Sequence, residues 1–283
     1  MIRAVLRPRG PYSLRESGVL ASDATRVVAG GSYRATVRAD GRLERVHAVQ
    51  RADGAIVVSA DGEAGVEHVR SALGLEDDHS EFLRRFARDP LLGETLRRIR
   101  GLRPVRTATV AHALLRAVAG QLILAKRARQ IERSVIRATT PAHGGLHSAP
   151  TCAELGRLAP AQLTGLGLGA RRAAALVRLC RSVELERLKR CDGSAAAARL
   201  LRERGLGPWS VGVVCLEGLG RYDHGLARDL GLVKLLSALR GRWVEPHETD
   251  ELLAPYGEWA GLASVYLLAG FRRGFVPLAD AAA

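Results

Sequence analysis

The sequence predicts an α+β protein: a small N-terminal antiparallel-sheet domain followed by a mainly helical domain. Three observations predict it. Early in the chain, strand-like runs are separated by turn signals such as Ala39-Asp40-Gly41 and Arg51-Ala52-Asp53-Gly54. From Asp89 onward alanine, leucine and arginine dominate, and these cost little in a helix. The 283 residues suffice for two units, each with its own core. The boundary falls after residue 88, so that 1–88 form the α+β unit and 89–283 the helical one.

In the first unit, Ser32 to Arg38 alternates in part, and Leu43 to Gln50 and Ala55 to Ala60 read as further strands of a meander. Gly65 to Leu73 reads as helix, and the acidic turn in LGLEDDHSEF starts the next one. No clustered titratable set in this unit points to chemistry. In the second unit a short helix follows Asp89, and the loop Gly101 to Arg106 offers Arg100, Arg103 and Arg106 as a basic rim. Val110 to Val118 is a strongly apolar helix. Gly120-Gln121-Leu122-Ile123 interrupts it, and Ala125 to Ile136 resumes as an amphipathic, arginine-rich helix. Leu122, after a glycine, is either a core residue or a side chain offered to a partner. Thr139 to Pro150 is a loop by its Gly, Pro and Ser content. His143 and His147 have metal-ligand spacing there but no clear third ligand. Then come a capped helix, a short helix after Pro160, a glycine turn at Gly165 to Gly169 and a basic helix from Ala170. The turn GLGLG is no dinucleotide fingerprint, because no strand precedes it.

The most informative stretch is Leu200 to Lys234. A helix over Ala195 to Glu203 is stopped by Gly205-Leu206-Gly207, where glycine readily takes the positive φ of a tight reversal. Pro208 then suits the first turn of a second helix, Trp209 to Leu219, almost wholly apolar and therefore buried. The hairpin thus presents backbone amides, bare of side chains, at a helix N-terminus, and such a place binds phosphate. A loop with Arg221, Asp223, His224 and Arg228 leads to Asp229, where a third helix, Leu230 to Leu239, begins. Taken singly, a Gly-x-Gly is a turn and an Asp before an apolar helix is an N-cap. A basic exit loop, Arg240 to Trp243, and further helices over Pro246 to Leu253 and Pro255 to Leu268 complete the chain.

A formal charge of +14 points to a polyanionic partner. Only three of the 43 cations are lysines, and the planar fork of arginine suits phosphate. The N-terminus lacks the apolar core of a signal peptide, and no apolar run approaches a membrane span, so a soluble, cytoplasmic protein is expected. Cys152, Cys180, Cys191 and Cys215 lack paired metal-ligand spacing and read as reduced buried thiols.

Helix, Gly-Leu-Gly-Pro-Trp-Ser, buried helix and then Asp229 resembles the helix-hairpin-helix and catalytic-aspartate signature of the base-excision DNA glycosylases. The Pro-Trp-Ser continuation is most similar to the 3-methyladenine DNA glycosylase II family. The resemblance runs from about Asp89 to Arg273, through LGLGARRAAAL before the hairpin and PYGEWAGLASVYLL in the closing helix. The N-terminal strands resemble the family's sheet domain more weakly. The resemblance implies a DNA glycosylase acting on double-stranded DNA that contains a damaged base. Asp229 would be the catalytic carboxylate, and its place at a helix N-terminus suits the negative charge that role needs. Trp209 matches a base-pocket aromatic. Val213 and Leu268 stand where the pattern has further aromatics, Ala260 replaces an arginine, and Tyr266 is expected to compensate in part. Leu122 matches a wedge that enters the base stack. Gly205, Leu206, Gly207, Ser210, Gln121 and Lys234 complete the implied DNA contacts.

Relatives that also cut the backbone use a lysine where this chain has Trp209, so a monofunctional hydrolase of alkylated purines (3-methyladenine or 7-methylguanine type) is expected. No cysteine follows Cys215, so the iron–sulfur cluster of some relatives is not expected, nor is any other cofactor or metal. Hairpin carbonyls hold a monovalent cation in relatives; for this chain that stays open. The expected state is a monomer. Two alternatives remain: a glycosylase for deaminated or oxidised bases, motivated by the aromatic-poor pocket, and a non-enzymatic DNA-binding hairpin protein in which Asp229 only caps its helix.

Overall fold

The computed structural model describes residues 1–278. Strands β1 (Ile2–Leu6), β2 (Arg26–Ala29), β3 (Ser32–Ala39), β4 (Arg42–Gln50) and β5 (Ile56–Ala60) form one antiparallel sheet in the order β1-β5-β4-β3-β2. The register sets Ala4, Val58, Ala48, Tyr33 and Val28 in one cross-strand row. Side chains alternate across a strand, so this row faces the core and meets Val66 and Val69 of the helix Glu63–Ala72. β3, β4 and β5 match the expected meander. β1 and β2 were not expected; β1 pairs with β5 across most of the sheet's sequence length, a contact no local signal announces.

Helices are numbered in chain order: α1 (Leu14–Ser17), α2 (Glu63–Ala72), α3 (Ser80–Arg85), α4 (Gly93–Arg98), α5 (Val110–Gly120) and α6 (Ala125–Thr139). Then follow α7 (Cys152–Arg157), α8 (Pro160–Gly165), α9 (Ala170–Ser182), α10 (Gly193–Leu201), α11 (Pro208–Val213), α12 (Leu230–Arg240), α13 (Thr249–Leu253) and α14 (Ala260–Arg272). α11 continues as a wider π-helical turn over Val214–Leu219. The helices bury their apolar faces in two lobes. The first is built on α5, α6, α9 and α11, with Leu114, Val118, Leu176 and Val211 at its centre. The second joins α3 and α4 to α12 and α14 through Phe82, Leu96, Leu232 and Leu262. Phe82, Leu83 and Phe86, which a boundary after residue 88 leaves with the sheet, pack in this second lobe.

An ion-pair cluster buried between sheet and first lobe links Asp23 and Arg26 to His112 and Arg116 of α5, Glu132 of α6 and Glu217. Arg116 Nη2 lies 2.5 Å from Asp23 Oδ2 and Arg116 Nε 2.9 Å from Glu132 Oε1, while Arg116 Nη1 pairs with Glu217. Burial alone would raise the Asp23 carboxyl, but Arg26, His112 and Arg116 outweigh it and hold the pKa well below the usual range. Asp23, His112 and Glu132 stand close enough for metal ligation, yet guanidinium groups already occupy both carboxylates.

The loop after α4 differs from its expected form. Arg103 is 1% exposed and donates to the carbonyls of Arg9, Pro11 and Gly74, with Tyr12 beneath its guanidinium. Arg106 pairs with Asp77. Neither belongs to a basic rim, because both satisfy buried polar groups where the sheet unit meets the helices. The loop after α6 is a two-residue hairpin, β6 (Ala142–His143) and β7 (Leu146–His147), tied to the sheet by the Thr36 hydroxyl donating to His143 O at 2.7 Å. Of the cysteines, all free, Cys191 is exposed rather than buried.

Candidate active site

The two lobes meet where α11 faces the start of α12. Gly205 has φ +95°, a left-handed conformation that lets the chain reverse between α10 and α11. Leu206 turns its side chain into the first lobe's core, which leaves Gly205 and Gly207 outside. Pro208 occupies the first position of α11, whose opening amides have no partner within the helix. The expected bare-amide hairpin is therefore present.

Asp229 is held first by the backbone of the helix it starts. Its Oδ1 accepts the Gly231 amide at 2.7 Å, capping α12. Arg228, the residue before it, takes φ +68° and donates its amide to the buried Thr249 hydroxyl at 2.7 Å. A side chain in that region is uncommon, and the hydrogen bond helps hold it there. Upstream, the Leu226 amide donates to Ser264 Oγ at 3.0 Å, and Tyr222 O accepts the Gly261 amide at 2.7 Å. The loop carrying Asp229 is thus pinned to α13 and α14.

Trp209 reaches this carboxylate from the other lobe: its Nε1–H donates to Asp229 Oδ2 at 2.8 Å. The far edge of the indole lies against Gly120, where a Cβ would stand 2.6 Å from Trp209 Cη2. Leu268 covers the first turn of α12, with Cδ2 2.5 Å from the Cβ position of Gly231. Trp209, Asp229 and Leu268 are all half-buried and converge on one place. Arg272, a turn beyond Leu268, joins them electrostatically. Partial burial and then Arg273 lower its guanidinium pKa, and Asp229 opposes both. The sequence marked Gly120 only as a break in the helix and did not single out Arg272; a glycine's close approach to another side chain and an arginine among forty carry no local signal.

The remaining expected residues divide. Val213, one turn after Trp209, is buried in the first lobe's core. Tyr266 is a correction: it is fully buried in the second lobe, its ring 5.5 Å from Phe82, and does not join Leu268. Two residues correspond to about 200° around a helix, so the two side chains leave opposite faces. Gln121 also turns inward, donating through Nε2 to Gly205 O at 2.9 Å and to the buried Ser210 Oγ at 2.8 Å. Its carbonyl accepts from Arg172 Nη1 at 2.7 Å. Gln121 and Ser210 therefore brace the loop before α6 against the hairpin. Leu122 does the reverse: it is 104% exposed with φ +57°, beside the exposed Leu124. Lys234 is exposed on α12. Among the hairpin carbonyls, Gly205 O is taken by Gln121 and Gly207 O by the Val211 amide, so both already have protein donors.

No family model matches the chain. It is 26% identical over 213 residues to the DNA-3-methyladenine glycosylase of Bacillus subtilis, covering 71% of this chain and 70% of that protein. The solved 3-methyladenine DNA glycosylase from Archaeoglobus fulgidus superposes with a TM-score of 0.80 at 24% identity, covering 96% of this chain and 98% of that one. The Clostridium acetobutylicum 8-oxoguanine glycosylase/lyase, solved on double-stranded DNA with cytosine opposite 8-oxoG, superposes at 0.77 with 17% identity, covering 96% and 99%.

Proposed function

We propose that the chain is a helix-hairpin-helix glycosylase of the 3-methyladenine DNA glycosylase II type, a monofunctional enzyme that hydrolyses the N-glycosidic bond of an alkylated purine in duplex DNA; its likeness to the Bacillus subtilis and Archaeoglobus fulgidus glycosylases supports this reading. The observation that carries this reading is the pairing of Asp229 with Trp209 across the two lobes, beside the bare hairpin. A buried-base reaction needs an anchor, a way to open the stack and a charge at the sugar. The hairpin amides and the arginine-rich surface anchor phosphates. Leu122 fills the gap left by the flipped nucleotide, an opening that costs a few kcal/mol. As the bond breaks, positive charge builds on the sugar, and the Asp229 carboxylate stabilises it and orients the attacking water.

An alkylpurine that already carries positive charge leaves without a strong general acid. Trp209 stands at the position that carries the Schiff-base lysine in lyases, so no covalent step through an amine is assigned to it. The reaction needs no cofactor, and one copy of the chain supplies every group named. A second reading, excision of a deaminated or oxidised base, is motivated by the aromatic-poor pocket, where Val213 and Leu268 stand in place of aromatics, and for oxidised bases also by the fold shared with the Clostridium enzyme.

Single-turnover excision on duplexes carrying alkylated, deaminated and oxidised bases separates the readings. Rapid release of 3-methyladenine or 7-methylguanine, slower release of neutral hypoxanthine and no borohydride-trapped adduct are expected. Preference for an oxidised purine or uracil with alkylpurines untouched would transfer the assignment to the second reading.

A further inference from the structure

A helix cap needs one oxygen of Asp229, and the Gly231 amide takes that one. The second oxygen receives the indole N–H of a residue from the opposite lobe, at 2.8 Å. The indole is itself held at both ends, by this hydrogen bond and by the close approach of its far edge, at Cη2, to Gly120. Its edge is therefore committed to the carboxylate. Two donors on two oxygens fix the rotation of a carboxylate that one donor leaves free to turn. Each oxygen still keeps acceptor capacity for water or sugar.

We propose that Trp209 is a positioning residue, acting through Nε1–H on Asp229 rather than as a stacking surface for the base. This rests on the glycosylase reading above and sharpens it. The two roles differ in consequence. A stacking surface gains most from a cationic base. A positioning donor changes the rate of every base by the same factor, and only while Asp229 has a carboxylate to position.

Trp209→Phe keeps an aromatic ring and removes the donor. Single-turnover excision by the wild type, Trp209→Phe, Asp229→Asn and the double variant tests the role, with circular dichroism to compare folding. Trp209→Phe is expected to slow excision ~10- to 100-fold, the range for a hydrogen bond to a charged group. The factor should be the same for 7-methylguanine and hypoxanthine, and the double variant no slower than Asp229→Asn alone. Of the three indole signals in a 15N-labelled sample, the one lost in Trp209→Phe should shift in Asp229→Asn. Losses that multiply in the double variant, a loss confined to cationic bases, or an unmoved indole signal would each overturn the positioning role alone. No excision of any base by the wild type would overturn the glycosylase reading and this role with it.

Discussion

At the scale of single residues, His79 shows what burial does to a titratable group. It is 3% exposed, packs edge-on to Tyr222 at 4.6 Å, and neither ring nitrogen has a hydrogen-bond partner among the described residues. Burial first, then Arg103 and Arg106, push its pKa down from 6.5 to about 4, against the opposing pull of Asp77 and Asp78. The folded chain therefore keeps this ring neutral where the unfolded chain takes up a proton. Its contribution is complete above pH 6.5 and is lost as pH falls toward 4, on the order of 3 kcal/mol in all. Urea unfolding between pH 7.5 and 4 should show a shallower loss of stability in His79→Phe than in the wild type. Parallel pH dependences would mean that His79 protonates freely in the fold. Arg103 teaches the same lesson about reading side chains. In the sequence it was one arginine in a basic loop; its burial depends on carbonyls from Arg9, Pro11 and Gly74, which only the fold brings together.

At the scale of elements, the hairpin and the start of α12 were readable because backbone chemistry dictates them locally: glycines at a reversal, proline at a first turn, aspartate at a cap. Which face a side chain leaves was less readable. Tyr266 and Leu268 lie in one apolar helix, hydrophobic nearly all round, so its periodicity does not separate core from site. The 121–124 loop presents the opposite case, with Gln121 braced inward and Leu122 outward in a left-handed conformation. Leu122→Ala should leave stability within about 0.5 kcal/mol, since the side chain touches solvent. It should slow excision about tenfold or more, a change of about 1.4 kcal/mol at the barrier. Chemical unfolding and single-turnover rates on one alkylated duplex check both. A destabilised variant with an unchanged rate would make Leu122 a structural residue.

At the scale of the whole molecule, sheet and helices are joined by the Asp23–Arg116–Glu132 cluster, and the two helical lobes by the contact of Trp209 with Asp229. Removing one member of a buried ion cluster leaves the others uncompensated, so such a joint resists partial opening. The α+β architecture was readable from composition and turns; the family resemblance brought Trp209 and Asp229 to one site but not the hydrogen bond between them, and the pairing of Asp23 with Arg116, distant in the chain, has no local signal. At the second of those joints the proposed chemistry rests on the Asp229 carboxylate, which is proposed to lower the barrier to base release. The direct measurement is single-turnover release of free 7-methylguanine by the wild type and by Asp229→Asn, beside the affinity of each for abasic duplex DNA. The Asp229→Asn rate is expected to fall by orders of magnitude, with affinity changed no more than a few-fold. Near-normal release by Asp229→Asn would contradict it and leave Asp229 as the cap of its helix.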